Sequence, residues 1–179
     1  SATRFAQKGN TMARRFISWN LNGIRAVEKK GLLHLIKDFD ADVIAFQETK
    51  AQPDQLSDQL LNPDGYTAYW HSAEKKGYSG VGIYTKKEPV NVITGIGDPL
   101  YDREGRVLTL EFEDCFLINI YFPNSGEGLK RLDYKLSFNE SLADFADGLG
   151  KKQYLLTRAN VAVAHKAIDL KNPQRNEKN

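Results

Sequence analysis

The sequence predicts an α/β (α+β) fold in one domain. Short apolar runs of strand length, such as RRFISWN, ADVIAFQETK and CFLINIYF, recur along the chain. Helical periods interleave with them, in GLLHLIKDFD and LKRLDYKLSFNESLADFADGL. No Pro/Ser linker, internal repeat or low-complexity tract divides the 179 residues, a length within the roughly 50–250 typical of one domain.

The elements follow in order. Periodic structure begins after Met12, so residues 1–12 read as a disordered arm or a leftover of cloning, and residues 13–179 as the domain. RRFISWN is a strand that stops at the polar loop Asn20-Leu21-Asn22-Gly23. In GLLHLIKDFD, Leu32, Leu33, Leu35, Ile36 and Phe39 share one helical face. ADVIAFQETK is a strand that also ends on polar groups, and QPDQLSDQLL is a short amphipathic helix. YTAYW and GVGIYTK are strands flanking the loop HSAEKKGYS, and VNVITGIG, RVLTLEF and CFLINIYF are further strands separated by turn residues. The long helix places Leu129, Leu132, Leu136, Leu142, Phe145 and Leu149 at a helical period, with Gly150 as its stop. YLLT is the last strand.

Composition narrows the function classes. A hydrophobic content of 41% supports a sizeable core, and a net charge of +2 describes an ordinary solvated surface, compatible with nucleic acid without arguing for it. The single cysteine, Cys115, lies in an apolar run and reads as core, so no disulfide framework is expected and a reducing, cytoplasmic setting fits. No apolar run approaches the roughly 18 residues of a membrane span, and the opening stretch lacks the apolar core of a signal peptide, so no membrane association is expected.

Several strands end in polar loops, where α/β proteins place ligands. Asn20 and Asn22, Glu48 and Lys50, and Tyr121 and Asn124 are three such ends, and YLLTRANVAVAH is a fourth. Each taken alone satisfies local backbone. Together, these residue types suit a hard, oxygen-liganded cation and a phosphate, since Mg²⁺ takes one or two carboxylates and keeps its waters.

WNLNGIRA, FQETK, EKKGYSGVGIYTK, GIGD…EGRV, INIYFPNSGEGLKRLDYK and AHKAIDLKNP…NEKN, in this order, resemble the exonuclease III-type apurinic/apyrimidinic endonucleases of the endonuclease/exonuclease/phosphatase superfamily. The resemblance runs from about Phe16 to Asn179. It implies a four-layer α/β sandwich, two β-sheets face to face with helices outside. It also implies Mg²⁺- (or Mn²⁺-) dependent hydrolysis of phosphodiesters in double-stranded DNA, at abasic sites and 3′ ends. Carried over by motif, Glu48 would hold the metal, with Asn20 and Asn22 organising its water shell. Tyr121 would donate to the scissile phosphate. Arg25, Lys50, Gly77, Tyr78, Arg106, Asn124 and Arg131 would line the DNA backbone, joined by Lys75 and Lys76. Such groups position a duplex without reading its sequence.

Two departures accompany the match. The family's Gly-Asp-x-Asn-x-Ala-His motif has lost its acid. Aligned back from Ala164-His165, Asn160 stands for the Asp and Ala162 for the Asn; aligned forward from the strand, Ala159 takes the Asp position. Either register removes the group that would orient or deprotonate the attacking water. His165 then reads as a loop-holding residue. The family also continues beyond NEKN with a further Asp and an Asp-His pair, so the C-terminal part of its fold is expected to be absent from this chain. The expected consequences are impaired catalysis and open sheet edges that favour self-association or a complementing C-terminal fragment. The competing reading is a non-catalytic fragment that keeps the DNA-backbone grip. A relative acting on phospholipids or phosphorylated small molecules is disfavoured by the presence of Arg25, Lys50, Tyr78 and Arg131.

Overall fold

The computed structural model describes residues 2–7, 14–150 and 152–157. Two sheets account for its strands. The first contains β1 (Ala2–Gln7), β2 (Arg14–Asn20), β3 (Val43–Gln47), β4 (Thr67–His71) and β5 (Val81–Thr85), in the order β1-β2-β3-β5-β4. The second contains β6 (Asn91–Thr94), β7 (Val107–Glu111), β8 (Cys115–Ile120) and β9 (Gln153–Thr157), in that order. Two neighbouring pairs run parallel, β2 with β3 and β8 with β9, and the rest run antiparallel. Parallel neighbours need a crossover. Helices α1 (Ile24–Glu28) and α2 (Leu32–Phe39) lie between β2 and β3, and α5 (Leu132–Gly148) lies between β8 and β9.

Strand alternation sorts the core into three layers. Phe16, Val43, Ala45, Val81 and Ile83 of the first sheet pack against Leu108, Leu110, Cys115 and Leu117 of the second. The opposite face of the first sheet, with Ile17, Ile44, Phe46 and Tyr84, is covered by Ile24, Leu32 and Ile36 of α1 and α2. The opposite face of the second sheet, with Val107, Phe116, Ile118 and Ile120, is covered by Phe138, Leu142, Ala143 and Ala146 of α5. The result is the four-layer sandwich, helices outside two packed sheets.

The structure corrects several element readings. Residues 2–7, expected in an arm, pair with residues 14–19 of β2 as β1. The stretch QPDQLSDQLL is not one helix. Leu56 is extended (φ −93°, ψ 146°) and separates a 3-10 turn at Pro53–Gln55 from α3 (Asp58–Leu61), which Ser57 caps by accepting from the Leu60 amide at 3.2 Å. The last helix begins at Leu132, because Leu129 turns left-handed at φ 60° and Arg131 is not helical. Its buried face is also rotated from the expected one. Phe138, Asn139, Leu142, Ala143 and Ala146 face inward, whereas Leu136 is 53% exposed. Two short helices, α1 and α4 (Pro99–Asp102), were not expected, although Asp98 and Pro99 form a recognisable helix start at α4.

Candidate active site

The site grows from the register of β2 and β3. Asn20 and Gln47, the last residues of two parallel strands, are partners, so the two loops leave the sheet side by side. Backbone bonds then zip them together: Leu21 N–H to Gln47 C=O at 2.9 Å, Gly23 to Glu48 at 2.8 Å and Ile24 to Thr49 at 2.9 Å. On the other flank, Thr49 and Lys50 donate to Gly80 and Ser79 at 3.1 and 2.8 Å. Asn22, Glu48, Lys50 and Ser79 all hold left-handed backbone, φ 48–53°. Non-glycine residues rarely adopt that conformation, and it concentrates at functional sites.

This ribbon gathers five of the expected side chains. Asn20 Nδ2 donates to Glu48 Oε1 at 3.1 Å, while Asn20 Oδ1 accepts from the Asn22 amide at 3.0 Å. Both ends of the Asn20 amide are therefore committed to holding Glu48 and the loop. Lys50 Nζ donates to Asn22 Oδ1 at 2.6 Å and lies 3.5 Å from Glu48 Oε2. Arg25 closes the group by donating to the Lys50 carbonyl at 3.2 Å.

Tyr121 reaches the same carboxylate from the second sheet. Burial, then the Glu48 carboxylate beside its hydroxyl, pushes the phenol well above its ordinary range; Arg106 opposes this. The Arg106 guanidinium lies 5.1 Å from the Tyr121 ring centroid, and two bonds join the residues: Tyr121 N–H donates to the Arg106 backbone C=O at 2.8 Å, and the Arg106 side-chain Nη1 donates to the Tyr121 C=O at 3.2 Å.

A second cluster adjoins this one. Glu104 accepts from Arg106 Nε at 2.8 Å and from Arg131 Nη2 at 2.7 Å, and both arginines donate to the Tyr78 hydroxyl at 2.9 Å. Burial pushes the Glu104 carboxyl up, but the neighbouring Tyr134 hydroxyl and the bonds from Arg106 and Arg131 outweigh it and hold the carboxyl below its ordinary value. Tyr134 is raised to about 12, by burial first and then by Glu104. Lys75 sits 5.5 Å from the Tyr78 ring, over its face. Arg106 is only 3% exposed, which corrects its expected place along DNA: it is a buried brace between Tyr78, Glu104 and Tyr121.

Gly77 (φ 71°) forms the turn beside Tyr78. Asn124 is exposed and folds back on its own loop, accepting from Gly126 N–H at 3.0 Å. Asn160, with the rest of the altered motif including Ala159 and His165, lies outside the described residues. Sequence reasoning missed Glu104 and Tyr134, which have no motif signal outside EGRV and LDYK. It also missed Ser18, Gln47 and Asn119, all at or below 3% exposed. Their signal was a polar residue at an inward, alternating position of an apolar strand.

The donor chemistry fits a hard divalent cation. Glu48 offers a carboxylate and Asn22 an amide oxygen, donor types that suit Mg²⁺, which takes one or two carboxylates and keeps its waters. Glu48 Oε2 and Asn22 Oδ1 already converge on one cation, the Lys50 ammonium. Among the described residues no helix is long and apolar enough to cross a membrane.

Comparison with known proteins agrees with this geometry. The sequence profile of the Endonuclease/Exonuclease/phosphatase family matches residues 17–165. The chain is 46% identical over 166 residues to an exodeoxyribonuclease of Bacillus subtilis, covering 92% of this chain and 65% of that one. It is 40% identical over 176 residues to the DNA repair nuclease APEX1 of Danio rerio, covering 97% of this chain and 57% of that protein. Among solved structures, an AP endonuclease of Leishmania major superposes with a TM-score of 0.65 at 30% identity, over 80% of this chain and 54% of that one. An AP endonuclease of Archaeoglobus fulgidus gives 0.67 at 22% identity, over 80% and 55%, which speaks to fold alone. The chain thus spans a little over half to about two thirds of these relatives.

Proposed function

The chain belongs to the endonuclease/exonuclease/phosphatase family, on its exonuclease III-type apurinic/apyrimidinic endonuclease branch, and we propose that its polar strand ends form a divalent-metal-dependent DNA phosphodiesterase site. The observation that carries this is the meeting of Glu48 and Tyr121 from opposite sheets, with Lys50 and Asn20 against the same carboxylate. Glu48 supplies the charged oxygen for Mg²⁺ or Mn²⁺, and Asn22 a neutral one. When bound, such an ion polarises a phosphoryl oxygen and neutralises developing charge. Asn20 orients the Glu48 carboxylate. Tyr121, kept protonated by burial and by Glu48, is a hydrogen-bond donor for a phosphate oxygen. Tyr78, Arg131, Lys75 and Arg25 form a basic-aromatic border suited to a duplex backbone, and they carry no base code.

We infer double-stranded DNA with abasic sites or 3′ ends as the substrate, in DNA repair inside the cell. Hydrolysis by this chain is slow, because neither register of RANVAVAH provides the acid that would activate water. Loss of a general base costs about 10²–10⁴ in rate. The test is Mn²⁺ titration into the chain and into Glu48→Ala, beside a nicking assay on an abasic duplex. Binding by the parent and none by the variant, with turnover well below 1 s⁻¹, the low end of ordinary enzymes, is expected. Equal binding by both proteins would refute the metal assignment, and turnover of about 1 s⁻¹ or more would refute the missing base.

A further inference from the structure

Between the apolar inter-sheet core and the site lies one polar layer. On β3 the inward positions run Val43, Ala45, Gln47; on β2 they run Phe16, Ser18, Asn20; on β8 they run Cys115, Leu117, Asn119 and then Tyr121. The third position of the β3 and β8 series is thus an amide, and the second of the β2 series a hydroxyl. They join in one network. Gln47 Nε2 donates to Ser18 Oγ at 3.0 Å and to Asn119 Oδ1 at 2.8 Å. Asn119 Nδ2 donates to the Phe46 and Gly82 carbonyls, both at 2.9 Å. Phe46 and Gly82 are partners across β3 and β5, so a side chain of the second sheet grips one rung of the first. Gln47 and Asn119 are both fully buried.

Elsewhere the two sheets meet through Phe16, Val43, Ala45, Ile83, Leu108, Leu110 and similar groups. Apolar contact is non-directional and tolerates sliding. Directional bonds to a backbone rung do not. The residue after Gln47 is Glu48, and two residues after Asn119 is Tyr121, on the same face of β8. We propose that Asn119 and Gln47 are positioning residues of this site: their amide clamp fixes where the second sheet stands against the first, and so seats the Tyr121 hydroxyl on Glu48. The functional importance of that seat rests on the phosphodiesterase reading above; the clamp itself does not.

The test reads Tyr121 directly, without metal, DNA or turnover. The full chain is labelled with ¹³Cζ-tyrosine, the resonances are assigned by single Tyr→Phe changes, and each phenol's chemical shift is read at one neutral pH. Asn119→Leu keeps roughly the volume and removes both donors. Asn119→Ser is the milder variant and retains one hydroxyl donor. In the parent, Tyr121 faces Glu48 with the Arg106 guanidinium 5.1 Å from its ring centroid. In Asn119→Leu the Tyr121 resonance is expected to move more than that of any other tyrosine, with a smaller move in Asn119→Ser. Tyr84, buried on the outer face of the first sheet, is expected to keep its resonance. An unmoved Tyr121 in the folded variants overturns the proposal. So does a Tyr84 that moves in step with it, or loss of the folded spectrum in both variants, since the clamp would then hold the fold rather than the site. Failure of the Mn²⁺ and nicking tests would leave this result standing, and the reverse holds too.

Discussion

Replacing Glu104 by glutamine removes one negative charge from the cluster behind Tyr78 and Tyr121. The carboxylate serves two guanidiniums, Arg106 at 2.8 Å and Arg131 at 2.7 Å. Their environments differ. The Arg106 side chain is 3% exposed, and removing one partner of a buried pair costs about 3–5 kcal/mol, because the surviving charge is left uncompensated. The Arg131 side chain is 36% exposed, so its pair adds only about 0–1 kcal/mol. A glutamine carbonyl still accepts one bond, which places the expected loss near the lower figure, about 3 kcal/mol. At roughly 2–4 °C per kcal/mol for a chain of this size, the melting temperature should fall by about 6–12 °C.

Acid supplies a second arm to that experiment. The folded Glu104 carboxyl lies below its ordinary 4.5. Its contribution is therefore complete above that pH and is lost as pH falls through the folded value. Glu104→Gln should lack this part of the acid slope. Adding Arg106→Met to a Glu104→Met variant should recover much of the loss, since a buried pair exchanged for apolar groups is often neutral. Calorimetry of the parent and the three variants at pH 7, with a pH series, checks the argument. A shift under about 2 °C for Glu104→Gln, less than one kcal/mol at this size, would show that Arg106 is not held by this carboxylate.

Two further outcomes test the packing. Phe138→Ala should cost about 3–5 kcal/mol by urea denaturation, because Phe138 is fully buried under the second sheet. Leu136→Gln should stay within about 0.5 kcal/mol, because that side chain is on the exposed face of α5. Burial holds the His71 imidazole below its ordinary 6.5, against the pull of Asp102. The folded chain therefore binds this proton less readily than the unfolded one, and stability should be full above 6.5 and decline as pH falls through the folded value. Denaturation midpoints between about pH 5 and 7.5 should show that decline in the parent and a flatter profile in His71→Gln.

What the sequence could show depended on the range of the physics involved. The strands were legible because alternation and apolar runs are local, and the ends of β2, β3 and β8 were legible as chemistry because polar residues broke those runs. The helix face was misread for a related reason. Leu129, Leu132, Leu136 and Leu142 satisfy a helical period, but the period cannot say that Leu129 is left-handed at φ 60° or which stripe meets the sheet. Phe138, Ala143 and Ala146 win that contact because small residues let Phe138 and Leu142 approach Phe116 and Ile118. The site divides in the same way. Glu48 and Tyr121 stood out as strand-end residues, 73 positions apart in sequence. Nothing local says that they touch. Their meeting is decided by Asn119 reaching the Phe46 and Gly82 carbonyls across the sheet interface, 73 and 37 residues away in the chain. Arg106 shows the converse error. A basic residue in EGRV reads as a surface cation until Glu104, two positions before it, and Tyr78, 28 positions before it, claim its donors and bury it. A buried arginine with two such partners is a strut, and the cationic border that faces solvent is left to Lys75, Arg131 and Arg25.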